Sequence, residues 1–232
     1  MYAKKKKGVN KKVVFAIALL VLIVVVAVAV ALYPKPRQSV LTTKVGVKVG
    51  DYFTYSLSGW ASGPVPSTIS TDFSIYNDTS YYKVTVTAIN GTKVTLDTDW
   101  VLNNGTSIDN PQTIDLASGI LSDQNGFYAL YPAGMNANQT IYPHVYQDVW
   151  VNGTDHIPYT SGTRASNYYS VTFPIYYTQD PTHSTMGYTS DQINFDRDTG
   201  MLTDLYSATD YNNPEIETKV VWELTGTNAW TF

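Results

Sequence analysis

Twenty-one consecutive residues, Val13 to Tyr33, carry no charge, glycine or proline, and six lysines stand just before them. As a helix rising 1.5 Å per residue the run is about 31 Å long, which matches a bilayer hydrocarbon core of about 30 Å. A lone segment in lipid must satisfy its own backbone hydrogen bonds, so helix is the only conformation open to it. Lys4 to Lys7, Lys11 and Lys12 hold the N-terminal side in the cytoplasm, and Pro34 and Pro36 end the helix. The expected organisation is a basic cytoplasmic tail (1–12), a transmembrane helix (13–33), a linker (34–44) and an extracytoplasmic body (45–232), in a single-pass protein of the cell membrane. A cleaved signal peptide competes, because Ala27-Val28-Ala29 and Ala29-Val30-Ala31 offer small residues at suitable spacing. The run, however, exceeds the ~7–15 residue core of such a peptide. A pilin-type leader cut after Gly8 fits less well, since Asn10, Lys11 and Lys12 delay the apolar stretch. All three alternatives export the body.

Charge is split along the chain. The first 37 residues hold eight of the fifteen basic residues and no acidic ones; the remainder holds seven basic and nineteen acidic residues, about −12 against −4 for the whole. A body this acidic does not suit a phosphate backbone, so nucleic-acid binding is not expected. There is no cysteine, which excludes disulfides, thiolate nucleophiles and thiolate metal sites.

From Val40 onward no long stretch has an apolar stripe at helical spacing. Threonine, tyrosine and valine dominate, and turn residues recur every eight to twelve positions or so. The expected strands are Leu41–Val49, Tyr52–Ser58, Asp72–Tyr76, Tyr81–Ala88, Thr92–Leu102, Gln139–Tyr142, Gln147–Val151, Ala165–Phe173, Ser190–Phe195, Met201–Ala208 and Glu217–Thr225. Two glycine-bounded stretches interrupt them, Phe127–Met135 and Asp115–Ser122, the second with the character of a short helix. The fold class that follows is an all-β ectodomain, a curved antiparallel sheet or half-barrel, with a two-sheet β-sandwich as the alternative.

Two hairpins have a readable register. A three-residue loop, Ile89-Asn90-Gly91, sets Val86 opposite Val94 and Val84 opposite Leu96, with Gly91 left-handed. A four-residue loop, Arg197 to Gly200, sets Phe195 opposite Leu202 with Gly200 left-handed, and then places Ile193 against Asp204.

The chain lacks a nucleophile elbow, a Walker loop and a dinucleotide fingerprint. His144, His156 and His183 lie in turn-like segments without metal-ligand spacing. Asp196 and Asp198, in Asp-Arg-Asp-Thr-Gly, resemble the opening of a calcium loop, but no later glutamate completes it, and a hairpin turn is the favoured explanation. The pairs Asp97/Asp99 and Glu215/Glu217 fall at strand spacing, as a solvated face requires, rather than as glycosidase carboxylates. Asn77, Asn90, Asn104, Asn138 and Asn152 each begin an Asn-x-Thr sequon at an expected turn and are glycosylation candidates in an exported chain. Adjacent tyrosines at Tyr81/Tyr82, Tyr168/Tyr169 and Tyr176/Tyr177 send one ring to each face of a strand. No cofactor is expected.

The order of several motifs carries a resemblance. VGVKVGDYFTYSLSG, YYKVTVTAINGTKVTL, YPAGMNANQTIY, GTRASNYYSV and INFDRDTGMLTDL follow one another as in a group of uncharacterised archaeal exported, membrane-anchored β-domain proteins, and the likeness spans most of the body. The group shows Gly-Asp in the central segment where this chain has Asn138-Gln139. The resemblance implies an antiparallel, LolA-like half-barrel whose concave face takes an acyl chain or another apolar ligand. It implies no activity.

The expected function is therefore a non-catalytic, membrane-anchored surface protein with a structural, adhesive or interaction role, not an enzyme. A carrier or sensor of lipid or another hydrophobic ligand is the alternative. The expected partners are the membrane, through the N-terminal helix, and envelope proteins, glycans or a lipid ligand.

Overall fold

A computed structural model describes residues 43–62, 73–122, 128–141, 149–176, 186–212 and 215–232. The expected anchor, most of the linker, His144, His183 and Tyr177 lie outside them; among the described residues no helix is long and apolar enough to cross a membrane.

Among the described residues there are thirteen strands: β1 (Tyr52–Ser62), β2 (Thr79–Asn90), β3 (Lys93–Leu102), β4 (Ser107–Asp109), β5 (Gln112–Asp115), β6 (Ile120–Leu121), β7 (Thr140–Ile141), β8 (Val149–Trp150), β9 (Gly153–Tyr159), β10 (Gly162–Tyr176), β11 (Met186–Asp196), β12 (Leu202–Asn212) and β13 (Glu215–Thr227). Eleven of them form one curved antiparallel sheet in the order β6-β5-β3-β2-β1-β13-β12-β11-β10-β9, with β4 alongside β3; β7 and β8 pair separately. One continuous ladder of this kind replaces the two-sheet sandwich. The first and last long strands, β1 and β13, lie side by side at the centre, which leaves β4 to β6 at one edge and β9 at the other.

Period-two alternation builds the core. One row of side chains runs Leu57, Trp222, Leu205, Ile193, Tyr169 across five strands. Val84, Val86, Val94, Leu96 and Ile114 are all buried on the same face of the neighbouring strands. Against this face lie residues 128–135 of the central segment between β6 and β9. Ala129, Leu130 and Tyr131 are buried in it, and Leu130 bridges to Met201. The Phe127–Met135 interruption, as far as it is described, is therefore a plug of the core. Its backbone is tied to the sheet, with Tyr131 N–H donating to the Gly200 carbonyl (2.8 Å) and Leu202 N–H to the Ala129 carbonyl (3.0 Å). Tyr131 stacks on Phe195 with ring centroids 4.6 Å apart.

The β2–β3 hairpin corrects the expected register. Asn90 pairs with Lys93, so the loop is Gly91-Thr92, and Gly91 takes φ +61° as a glycine-first two-residue turn requires. Val86 then opposes Leu96, not Val94, and Val84 opposes Thr98. An extra residue between Val86 and Ala88 restores the faces, so all four apolar side chains stay inside. In the β11–β12 hairpin, Phe195 opposes Leu202 and Gly200 has φ +79°, as expected. Ile193, however, faces Leu205 instead of Asp204, because Thr203 is bulged out of the ladder.

Three further expectations fail. The described part of Leu41–Val49 has no strand pairing and ends in a turn at Val49: a Cβ at Gly46 would overlap the Asp198 carbonyl, and Lys44 spends its carbonyl on Ala133 N–H (2.9 Å). Ser74–Asn77, which overlaps the expected strand Asp72–Tyr76, is a single helical turn that lays Phe73 over Gly59, where only glycine leaves room. Asp115–Ser122 is no helix but the β5–β6 hairpin, turned at Gly119 with φ +70°. Strand β9 carries no apolar alternation in its sequence, Gly-Thr-Asp-His-Ile-Pro-Tyr, and none of its residues is fully buried.

Candidate functional site

The densest polar cluster grows from the β11–β12 turn. In Asp196-Arg197-Asp198-Thr199-Gly200 the first carboxylate folds back onto its own turn: Asp196 Oδ1 accepts from Thr199 N–H (2.8 Å) and Thr199 Oγ1–H (2.7 Å). Gly200 closes the turn in the left-handed region, and a Cβ there would overlap the Tyr131 carbonyl. Asp196 is 2% exposed. Arg164, on β10, grips it with both prongs, Nε to Oδ2 at 2.7 Å and Nη2 to Oδ1 at 2.9 Å. The same guanidinium lies over the Trp230 ring, 4.3 Å from its centroid, and Tyr159 meets Trp230 edge-on.

Electrostatics follow from this packing. The hydrogen bond to Asp196 holds Arg164 above its ordinary pKa. Burial, helped by Asp204 and Asp196 and opposed by Arg164, pushes the Tyr159 phenol up to about 12. Burial raises Asp204 above its ordinary value; the Thr203 hydroxyl offsets part of the shift and Glu223, opposite it on β13, adds to it.

The neighbouring arginine points the other way. Arg197 donates through Nε to the Met135 carbonyl (3.1 Å) and through Nη2 to Asn136 Oδ1, and Gly134 N–H returns a bond to the Arg197 carbonyl. Asn167, fully buried, donates to the same Met135 carbonyl (2.9 Å) and accepts from Thr154 Oγ1 (2.7 Å). The turn thus fastens β10 and the central segment directly, and Trp230 through Arg164.

Chemically this is a clasp. The Asp196 carboxylate already receives four donors, which leaves it poorly placed to ligate a hard cation, and Arg164 supplies the positive charge a calcium ion would bring. Asp198 is exposed, and among the described residues its carboxylate makes one long contact, 3.5 Å to Arg164. Asp196 and Asp198 therefore serve a hairpin turn. Among the described residues no group of three or more histidine, aspartate or glutamate side chains converges for a metal.

The other sequence candidates are dispersed. His156 is exposed on β9. Asp99 accepts from Ser107 Oγ, Glu217 pairs with Lys219 at 2.7 Å, and neither Asp97/Asp99 nor Glu215/Glu217 points into the core. Tyr82 and Tyr169 are buried, while Tyr81 and Tyr168 are half-buried on the other face. All five sequon asparagines are exposed and sit at turns, at strand ends or, for Asn77, at the end of the helical turn. Asn138 has φ +65°, the one positive-φ residue other than glycine among those described.

The Arg164–Asp196 pair was missed in the sequence, where Arg164 stands thirty-two positions away in an ordinary strand. Its one sequence signal is scarcity: the body has two arginines, Arg164 and Arg197, and both bind at this turn.

No protein-family model matches the chain, and no curated protein matches it. The geometry alone carries the functional reading.

Proposed function

We propose that the chain is a non-catalytic, membrane-anchored surface protein whose body, an open half-barrel, serves a structural, adhesive or interaction role outside the cytoplasm. The lysine-flanked apolar run Val13–Tyr33 supports the anchor, and the basic tail before it supports the orientation.

The observation that carries the non-catalytic role is the fate of the polar chemistry. The most concentrated set of buried charged and polar groups, around Asp196, is spent internally on holding the turn, the C-terminus and the central segment together. The same packing weighs against an acyl-chain carrier. The protein's own Leu130 and Tyr131 occupy the sheet face where a lipid would lie. Further along that face Asp191 presents a buried Oδ1 with no hydrogen-bond partner among the described residues, a poor neighbour for hydrocarbon.

The full chain, extracted from membranes in detergent and measured by native mass spectrometry, tests this choice. The expected spectrum is bare protein that takes up no fatty-acid probe. A lipid retained at one copy per chain would replace the structural role with the carrier.

A further inference from the structure

The five sequons are unevenly placed. All start at or before Asn152, and none occurs in residues 155–232, although that stretch supplies β10 to β13 and holds Asn167, Asn194, Asn212, Asn213 and Asn228. In the sheet order, β11, β12, β13 and β1 are central, while β4 to β6 and β9 form the two edges.

The sequons follow the edges. Asn104 opens the turn that leads into β4, and Asn152 immediately precedes β9. Asn138 lies beside Asn152, its N–H bonded to the Val151 carbonyl at 2.8 Å. The Asn77 sequon lies beside Asn104, through Asn103 N–H to the Asp78 carbonyl at 2.7 Å. The Asn90 sequon touches β5, with Thr92 Oγ1–H donating to Asp115 Oδ1 at 2.8 Å.

These edges need cover. An edge strand presents unpaired N–H and C=O groups that template pairing with another chain. Here large apolar side chains stand on or next to the same edges: Ile108 on β4 is 41% exposed, Ile120 on β6 is 62% exposed and Trp150, two residues before Asn152, is 48% exposed.

We infer that Asn104 and Asn152 carry Asn-linked glycans that shield the two free edges of the sheet from pairing with other chains. The inference rests on the exported body proposed above. At both positions the side-chain oxygen is engaged, Asn104 Oδ1 by Thr106 N–H (2.8 Å) and Asn152 Oδ1 by Ser170 N–H (2.8 Å), while among the described residues nothing takes up Nδ2. Asn77 differs: its oxygen accepts from Gly59 N–H (2.9 Å) and its Nδ2 donates to the Gly59 carbonyl (2.8 Å), so its amide already serves as a rung between the helical turn and β1. In the modification Nδ2 attacks the anomeric carbon of a glycosyl pyrophosphate donor. The nitrogen–carbon bond forms as the carbon–oxygen bond to phosphate breaks. Pyrophosphate leaves with the electron pair and Nδ2 gives up one proton.

The test uses the full chain, expressed in a cell that exports it and glycosylates Asn-x-Thr sites. Glycopeptide mass spectrometry is expected to find sugar on Asn104 and Asn152, and the detergent-solubilised chain to sediment as one species. Enzymatic deglycosylation, and separately the double variant Asn104→Gln with Asn152→Gln, are expected to shift it to dimers and larger species. Asn77→Gln leaves sedimentation as in the parent. Deglycosylation of the unaltered sequence guards against a folding defect in the variant. Bare Asn104 and Asn152 on a chain that external protease reaches, or unchanged sedimentation after deglycosylation, would overturn the shielding role alone. A body protected from that protease would overturn export and the glycans together.

Discussion

Arg164 and Asp196 form the one two-pronged ion pair among the described residues, half-buried at the guanidinium and buried at the carboxylate, and the same guanidinium lies over the Trp230 ring. The pair ties the start of β10 to the end of β11 and, through the guanidinium, to Trp230.

Removing Arg164 leaves a carboxylate that is 2% exposed without its cation. Arg164→Met is therefore expected to lower the unfolding free energy by about 3 kcal/mol, the cost typical of breaking a buried pair on one side. Arg164→Lys is expected to recover only part of it, because an ammonium cannot bridge both oxygens and stack on the indole together. Urea unfolding followed by tryptophan fluorescence measures both.

Two left-handed glycines separate strain from crowding. Gly91 has φ +61° with no atom within 4 Å of an added Cβ, so Gly91→Ala is expected to cost about 1 kcal/mol, from backbone conformation alone. Gly200 has φ +79° and also abuts the Tyr131 carbonyl, so Gly200→Ala is expected to cost at least twice as much. Equal losses in denaturant midpoint would mean that the central segment does not press on this turn.

Tyr131 tests the plug directly. It is 1% exposed, stacked on Phe195 and edge-on to Tyr169, whose hydroxyl lies 3.2 Å from its own. Tyr131→Ala is expected to cost about 3–5 kcal/mol, the range for deleting a buried aromatic side chain. Tyr131→Phe loses only the hydroxyl contact and is expected to cost about 1 kcal/mol. A near-silent alanine variant in thermal unfolding would make the central segment a cover rather than part of the core.

Alkaline pH should unfold the protein through its phenols. Burial sets Tyr159 and Tyr169 at about 12 in the folded chain, against 10.0 for the free side chain. Below pH 10 both states keep these protons. Between 10 and 12 the unfolded chain loses protons that the folded chain retains, so stability falls as pH rises through that window. A late step of phenolate absorbance, from these buried phenols, is expected together with loss of structure. Early titration of every tyrosine in a folded chain would contradict the burial.

The sequence disclosed strand identity well and pairing only in part. Valine and tyrosine alternation located β1, β2, β3 and β10 to β13, because a half-buried strand must alternate. The β2–β3 and β11–β12 registers went astray at extra residues near Thr87 and at Thr203, since a bulge costs one residue and leaves no composition signal. The Ser74–Asn77 turn was hidden because its cause, Phe73 over Gly59, is a tertiary contact. The Arg164 clasp was hidden for the same reason, being assembled across thirty-two residues and completed by Trp230 near the chain's end.

The absence of cysteine makes the topology directly measurable. Single cysteines placed by Ile120→Cys, at a 62% exposed position in the body, and by Ala3→Cys, in the basic tail, can be labelled in intact cells with a membrane-impermeant maleimide. An anchored body outside the cytoplasm predicts immediate labelling of the Ile120→Cys chain and labelling of the Ala3→Cys chain only after lysis. Labelling of Ala3→Cys in intact cells, or of Ile120→Cys only after lysis, would contradict it.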